Sequence, residues 1–237
     1  MNNFQISQKC RLIPGLLLLI GAIMLAACSD KTKSVDSDEV SSTPKANVTT
    51  GVKPVPDAEA AVIETLDPAY GQVVIELYSN LAPKMVERFK RLVTEKFYDG
   101  TTFHRIVADA GIVQGGDPLS KDNEPGNDGT GDSPYPNVPA EFSDVLYERG
   151  IVGAARKGGG PGMTEAQAWD TANCQFYLTL KRQPAFDQKY TVFGRVITGL
   201  NNADVILHAP VDRASERPLT PIVIKSITLQ PRSNFVK

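Results

Sequence analysis

The stretch Thr102-Phe103-His104-Arg105-Ile106-Val107-Ala108-Asp109-Ala110-Gly111-Ile112-Val113-Gln114-Gly115-Gly116-Asp117 holds two short apolar runs, 102–107 and 111–115, separated by a turn of small residues. Runs this short, bounded by Gly and Asp, read as strands rather than helices. The same punctuation recurs outward from it, with runs at 61–66 and 72–78 upstream and at 150–155, 175–181, 191–197 and 221–229 downstream. Eight candidate strands result. In the second of them Val73, Ile75 and Leu77 alternate with Val74 and Glu76, the period of two that marks a half-buried strand.

Two segments break this pattern. Pro83 sits where a first-turn proline is tolerated, and Val86, Phe89, Leu92 and Val93 then recur on one face while Lys84, Glu87, Lys90, Arg91 and Glu95 fall on the other. A second, shorter helix is predicted over 200–207, ended by Pro210. Many short strands with only two helices predict a mainly β fold, an eight-stranded antiparallel closed barrel whose open ends the helices cap.

Composition narrows the function. With 237 residues, 41% hydrophobic and 22% charged, the chain can bury a sizeable core. Its net charge of -2, without any long block of like charge, argues against a nucleic-acid partner. Two histidines and three cysteines are too few for a zinc framework, so neither metal nor cofactor is expected. The acids of 122–139 do not follow calcium-loop spacing, and Lys157-Gly158-Gly159-Gly160-Pro161-Gly162 lacks the Gly-Lys-Ser/Thr ending of a phosphate loop. Residues 157–171 read as an extended loop carrying the only tryptophan, Trp169, as a substrate-tuning residue or a loop anchor.

The first segment reads as an address. Lys9 and Arg11 precede an apolar run over 12–27, shorter than the roughly 20 apolar residues a spanning helix needs. It ends in Leu25-Ala26-Ala27-Cys28, which resembles the bacterial lipobox, in which cleavage before the cysteine exposes a thiol for acylation. The organisation expected is a signal peptide over 1–27, a lipidated Cys28 opening a flexible tether over 28–59, and a folded domain over 60–237. Losing two basic residues and no acidic ones leaves 23 basic against 27 acidic residues, a mature charge of -4. The expected location is the cell envelope, with the outer membrane favoured in a Gram-negative source because Ser29, not aspartate, follows the cysteine. Cys174 is then the lone thiol of the domain, read as a small buried hydrophobe rather than as a nucleophile with His104 as its base.

Phe103-His104-Arg105-Ile106 followed by Gln114-Gly115-Gly116-Asp117 resembles the signature of cyclophilin-type peptidyl-prolyl isomerases. The resemblance extends through Gly71-Gln72-Val73-Val74-Ile75-Glu76-Leu77, Phe97-Tyr98-Asp99-Gly100, Gly150-Ile151-Val152, Gln175-Phe176-Tyr177-Leu178 and Tyr190-Thr191-Val192-Phe193-Gly194-Arg195-Val196, covering about 60–230. It implies isomerisation of Xaa-Pro bonds in extended or unfolded polypeptides; with the signal segment, the clients expected are exported proteins, and the protein is expected to act as a monomer. It implies that Arg105 is the catalytic arginine, that Gln114 and Gln175 contact substrate backbone, and that Ile112, Tyr177 and Phe186 line the proline pocket. Ala155, Arg156 and Tyr190 fall at positions of the adjoining groove. His104 lies near the family's site, although taken alone it reads as a satisfied core histidine.

Two departures qualify the match. Eight residues separate Arg105 from Gln114, one more than the family usually has, and Gly111 stands where a pocket phenylalanine is expected. A missing wall predicts reduced activity unless the extra residue lets Ile112 or Tyr177 fill the gap, and its extreme form is the alternative reading: a proline-peptide binding module or holdase with reduced or lost turnover. Ala185, before Phe186-Asp187, stands where the family's cyclosporin-sensitive members carry tryptophan.

Overall fold

In a computed structural model the described residues are 46–122 and 124–236. The expected signal peptide, Cys28 and the first part of the tether lie outside them. All eight anticipated runs form strands: β1 (Glu59–Thr65), β2 (Gln72–Leu77), β3 (Arg105–Val107), β4 (Ile112–Gly115), β5 (Ile151–Ala154), β6 (Phe176–Thr179), β7 (Val192–Thr198) and β8 (Ile224–Pro231). They make one antiparallel sheet in the order β8-β1-β2-β7-β5-β6-β4-β3.

The expectation of a closed barrel is corrected: the sheet is a curled half-barrel in which β3 and β8 do not form a ladder. Just before each of these strands, one isolated bridge joins Thr102 to Val223. The reason is local. β3 has only three residues, and its free edge is taken by another partner, the Ile106 N–H donating to the Glu216 carbonyl at 2.7 Å. Glu216 belongs to a hairpin in which Val211–Asp212 pairs with Arg217–Pro218.

Alternation along the strands decides what each face carries. Ile106, Val113, Leu178 and Val152 are paired in sequence across β3, β4, β6 and β5, and all four enter the core. One residue along, Arg105, Gln114, Tyr177 and Gly153 form the neighbouring cross-strand row on the opposite face. Gly153 is required there, because a Cβ would stand 2.5 Å from the Tyr177 hydroxyl.

Helix α1 (Pro83–Thr94) buries Met85, Val86, Phe89, Leu92 and Val93, as its periodicity predicts. Phe89 meets the rings of Tyr98, Phe176 and Phe193 at centroid distances of 5.3 to 5.7 Å, so truncating it to alanine should cost about 3–5 kcal/mol. The five-residue helix α2 (Glu165–Trp169) lies within the segment anticipated as extended loop, and α3 (Leu200–Leu207) has its predicted bounds. A reciprocal cap explains α2: Thr164 accepts from the Gln167 N–H, and the Gln167 side chain accepts from the Thr164 N–H at 2.8 Å. Trp169 is partly buried, edge-on to Phe142 at 6.0 Å, which makes it a loop anchor.

Residues 46–58, which composition assigns to the tether, make specific contacts with the domain. Val48–Thr49 pairs in parallel with Phe142–Ser143. The Asn80 side chain donates to the Lys53 carbonyl and accepts from the Val55 N–H, while the Asp57 carboxylate meets Lys90 at 2.7 Å and accepts from the Ser79 hydroxyl.

Candidate active site

The row Arg105, Gln114, Tyr177 faces a cavity of about 110 Å³, completed by Ile112, Ala155, Arg156, Phe186 and Tyr190. Of the ten substrate and catalytic positions anticipated in the domain, eight therefore surround one space. Its apolar side is continuous. Tyr177 and Phe186 meet at 5.7 Å, Phe186 and Tyr190 at 4.7 Å, and Ile112 packs in the same cluster, only 7% exposed. Phe186 and Tyr147 are edge-on, and the Tyr177 hydroxyl donates to that of Tyr147 at 3.1 Å. Burial raises the pKa of both phenols, so they remain neutral donors.

The polar side is a chain of hydrogen bonds. Arg105 Nε donates to Glu216 Oε2 at 2.7 Å, and Arg105 Nη2 stands 2.7 Å from the same oxygen. Arg105 Nη1 donates to Gln114 Oε1 at 3.3 Å, Gln114 Nε2 to Gln175 Oε1 at 3.0 Å, and Gln175 Nε2 to the Gly131 carbonyl at 2.9 Å. Each side-chain amide thus has its oxygen turned toward the arginine end of the chain. A guanidinium has five donors, so these contacts orient Arg105 without exhausting it.

Gln175 lines a neighbouring cavity of about 60 Å³ that shares Gln114, Ala155 and Arg156 with the first. Arg156 stands between them, its guanidinium 4.3 Å from the Tyr190 ring centroid and its Nη2 2.6 Å from Glu165 Oε1 of α2. It closes the groove as a packed cation, with its side chain only 3% exposed.

His104 is the anticipated contact that does not join them. It is 4% exposed and faces a separate cavity with Thr102, Asp128 and Arg217, because adjacent residues of an extended chain point to opposite sides. It is buried but not satisfied, since neither ring nitrogen has a hydrogen-bond partner. Burial pushes its pKa down to about 4 against the pull of Asp117. Cys174 is fully buried and burial pushes its thiol up to about 12, which removes it as a nucleophile at neutral pH.

Gly111 is not a pocket position. It closes the β3-β4 turn at φ +70°, its N–H donating to the Ala108 carbonyl, and a Cβ there would meet Lys181 at 2.7 Å. The extra residue lengthens the turn and leaves Ile112, not the glycine, on the wall. Sequence reading missed Tyr147 and Glu216. Tyr147 lies in an irregular segment, and Glu216 is 111 residues from its partner, with only a turn signal nearby.

The family model for "Cyclophilin type peptidyl-prolyl cis-trans isomerase/CLD" matches residues 61–229. A "Probable peptidyl-prolyl cis-trans isomerase" of Brucella suis is 39% identical over 140 residues, which make up 57% of this chain and 66% of that relative. "Peptidyl-prolyl cis-trans isomerase-like 3" of Gallus gallus is 36% identical over 171 residues, 70% of this chain and 94% of the relative. A crystal structure of a Cryptosporidium parvum cyclophilin-type isomerase, determined in the presence of the dipeptide Ala-Pro, superimposes with a TM-score of 0.60 at 26% identity, covering 72% of this chain and 98% of that one. A family match running from β1 to β8, two relatives above 30% identity and a shared fold lead to one conclusion: the chain belongs to the cyclophilin-type peptidyl-prolyl cis-trans isomerases.

Proposed function

We propose that the protein accelerates cis/trans rotation of Xaa-Pro bonds in extended polypeptide segments, with Arg105 as the catalytic group, and that it does so on exported proteins while tethered by lipid on Cys28 at a bacterial cell envelope. The observation that carries the catalytic part is a fixed guanidinium across a cavity from a continuous apolar wall of Ile112, Tyr177 and Phe186. Rotation faces a barrier of ~18–20 kcal/mol because the nitrogen lone pair is conjugated with the carbonyl. In the twisted state that lone pair localises on a pyramidal nitrogen, where an arginine N–H can donate to it. A guanidinium stays charged at every physiological pH.

One charge-assisted hydrogen bond contributes ~1.5–3 kcal/mol, whereas an acceleration of 10⁵ needs about 7. The remainder is assigned to the apolar wall of Ile112, Tyr177 and Phe186, which removes water from the proline ring, and to Gln114, which holds the flanking backbone. Arg105→Ala is the test. Its guanidinium is half-exposed, so the fold should tolerate the change, while kcat/KM on an Ala-Pro peptide should fall about 10- to 150-fold. Equal rates in the two proteins would refute the assignment. The envelope part rests on the Leu25-Ala26-Ala27-Cys28 sequence.

A further inference from the structure

The contact that fixes Arg105 comes from an unexpected part of the chain. Glu216 lies at the end of the 211–218 hairpin with φ +56°, in the left-handed region that non-glycine residues other than Asn and Asp seldom adopt. The hairpin imposes this conformation. Asp212 Oδ1 accepts from the N–H groups of Ala214 and Ser215 and from the Ser215 hydroxyl, winding the turn, and Leu219 N–H closes its base on the Pro210 carbonyl. From that position Glu216 grips β3 twice, its carbonyl on the Ile106 N–H and its carboxylate on Arg105 Nε and Nη2.

We propose that Glu216 is a positioning residue for catalysis, held in an unfavourable backbone conformation so that its carboxylate fixes the plane of the Arg105 guanidinium. Backbone strain tends to persist where the surroundings over-determine it. Lys96 and Gln188 hold the same left-handed backbone, but among these three only Glu216 joins it to a carboxylate bonded to Arg105, where Asn or Gly would otherwise suit the position better. With Nε and Nη2 held by Glu216 and Nη1 by Gln114, the guanidinium plane is fixed from two sides, and it meets the prolyl nitrogen without first having to reorient. The proposal rests on the catalytic reading of Arg105.

Four purified proteins test it: the parent, Glu216→Asn, Glu216→Gln and Arg105→Ala. Asn accepts the left-handed backbone but is one methylene short of Arg105. Glu216→Asn should therefore melt at or above the parent temperature while kcat/KM falls between about tenfold and a hundredfold through kcat. Glu216→Gln keeps an acceptor at the right reach and should recover most of that loss. The Arg105 Nε–H, slow to exchange with solvent in the parent and in Glu216→Gln, should exchange rapidly in Glu216→Asn. Adding Glu216→Asn to Arg105→Ala should change the rate no further.

Parent-like kcat in Glu216→Asn, with Arg105→Ala impaired as expected, would overturn the positioning role alone. A fully active Arg105→Ala would instead remove the catalytic reading beneath it. Loss of activity in Glu216→Asn that tracked a lowered melting temperature, with Glu216→Gln equally inactive, would show that the hairpin merely supports the fold, and would also overturn the proposal.

Discussion

Behind the cavity beside Arg105, Tyr147 and Tyr177 share one buried hydrogen bond, and its removal separates packing from polar satisfaction. The hydroxyls are 3.1 Å apart, the residues are 0% and 4% exposed, and the rings are near-parallel with centroids 6.1 Å apart. Tyr177→Phe keeps the ring stack and deletes the donor, leaving the Tyr147 oxygen buried without a partner. The expected cost is the net bond, about 1 kcal/mol, plus about 1–2 kcal/mol for the stranded hydroxyl. Tyr147→Phe should cost a similar amount. The double variant strands nothing and should lose only about 1 kcal/mol, giving a coupling of about 3–5 kcal/mol. Urea denaturation of the four proteins measures this, and each single variant should melt roughly 4–12 °C below the parent. Because the ring, not the hydroxyl, contributes apolar surface, Tyr177→Phe should keep kcat/KM within about threefold, under 1 kcal/mol of barrier. Costs that simply add in the double variant would show the hydroxyls to be uncoupled and the reasoning wrong.

Acid stability should carry a signature of His104. Its native pKa of about 4 lies below the ordinary 6.5, so between these values the unfolded chain binds a proton that the native chain does not. The contribution is intact above pH 6.5 and is lost as pH falls to 4, on the order of 3 kcal/mol, and His104→Leu should flatten that part of a stability–pH curve. Cyclosporin should inhibit weakly, since exposed Ala185 offers neither the indole donor nor the flat surface of tryptophan. The deficit of about 2–4 kcal/mol corresponds to roughly 30- to 1000-fold, and Ala185→Trp should restore much of it; tight inhibition of the unmodified protein would contradict this. Cys28→Ser should leave the precursor uncut and unacylated, and a cleaved, membrane-retained Cys28→Ser protein would remove the lipid anchor from the proposal.

Most of the fold was legible because strand and turn chemistry are local. Val73, Ile75 and Leu77 alternate, Pro83 opens α1, and 200–207 has the bounds the sequence predicts. The pocket residues were legible only through family order, since nothing near Gln114 says that Tyr177 will stand opposite it. What escaped notice was long-range or marginal. Closure of the sheet depended on whether β8 or the Glu216 hairpin would occupy the edge of β3, a competition invisible in either segment alone. Residues 46–58 look like a linker by composition, yet Asn80 and Lys90 give them partners. The role of Gly111 stayed open in the sequence, because a count back from Gln114 cannot tell a lengthened turn from a lost wall.

The burial of Cys174 turns the molecule into its own conformational clock. A maleimide or disulfide reagent in solution is attacked only by thiolate, and this thiol combines zero exposure with a pKa of about 12. Modification must therefore wait for the segment around Cys174, just before β6, to part from the Gly131 segment that its Sγ meets, and the labelling rate counts those openings. In a chain with Cys10 and Cys28 replaced, every modified molecule records one such event, at a position lining the cavity that Gln114, Arg156 and Gln175 share.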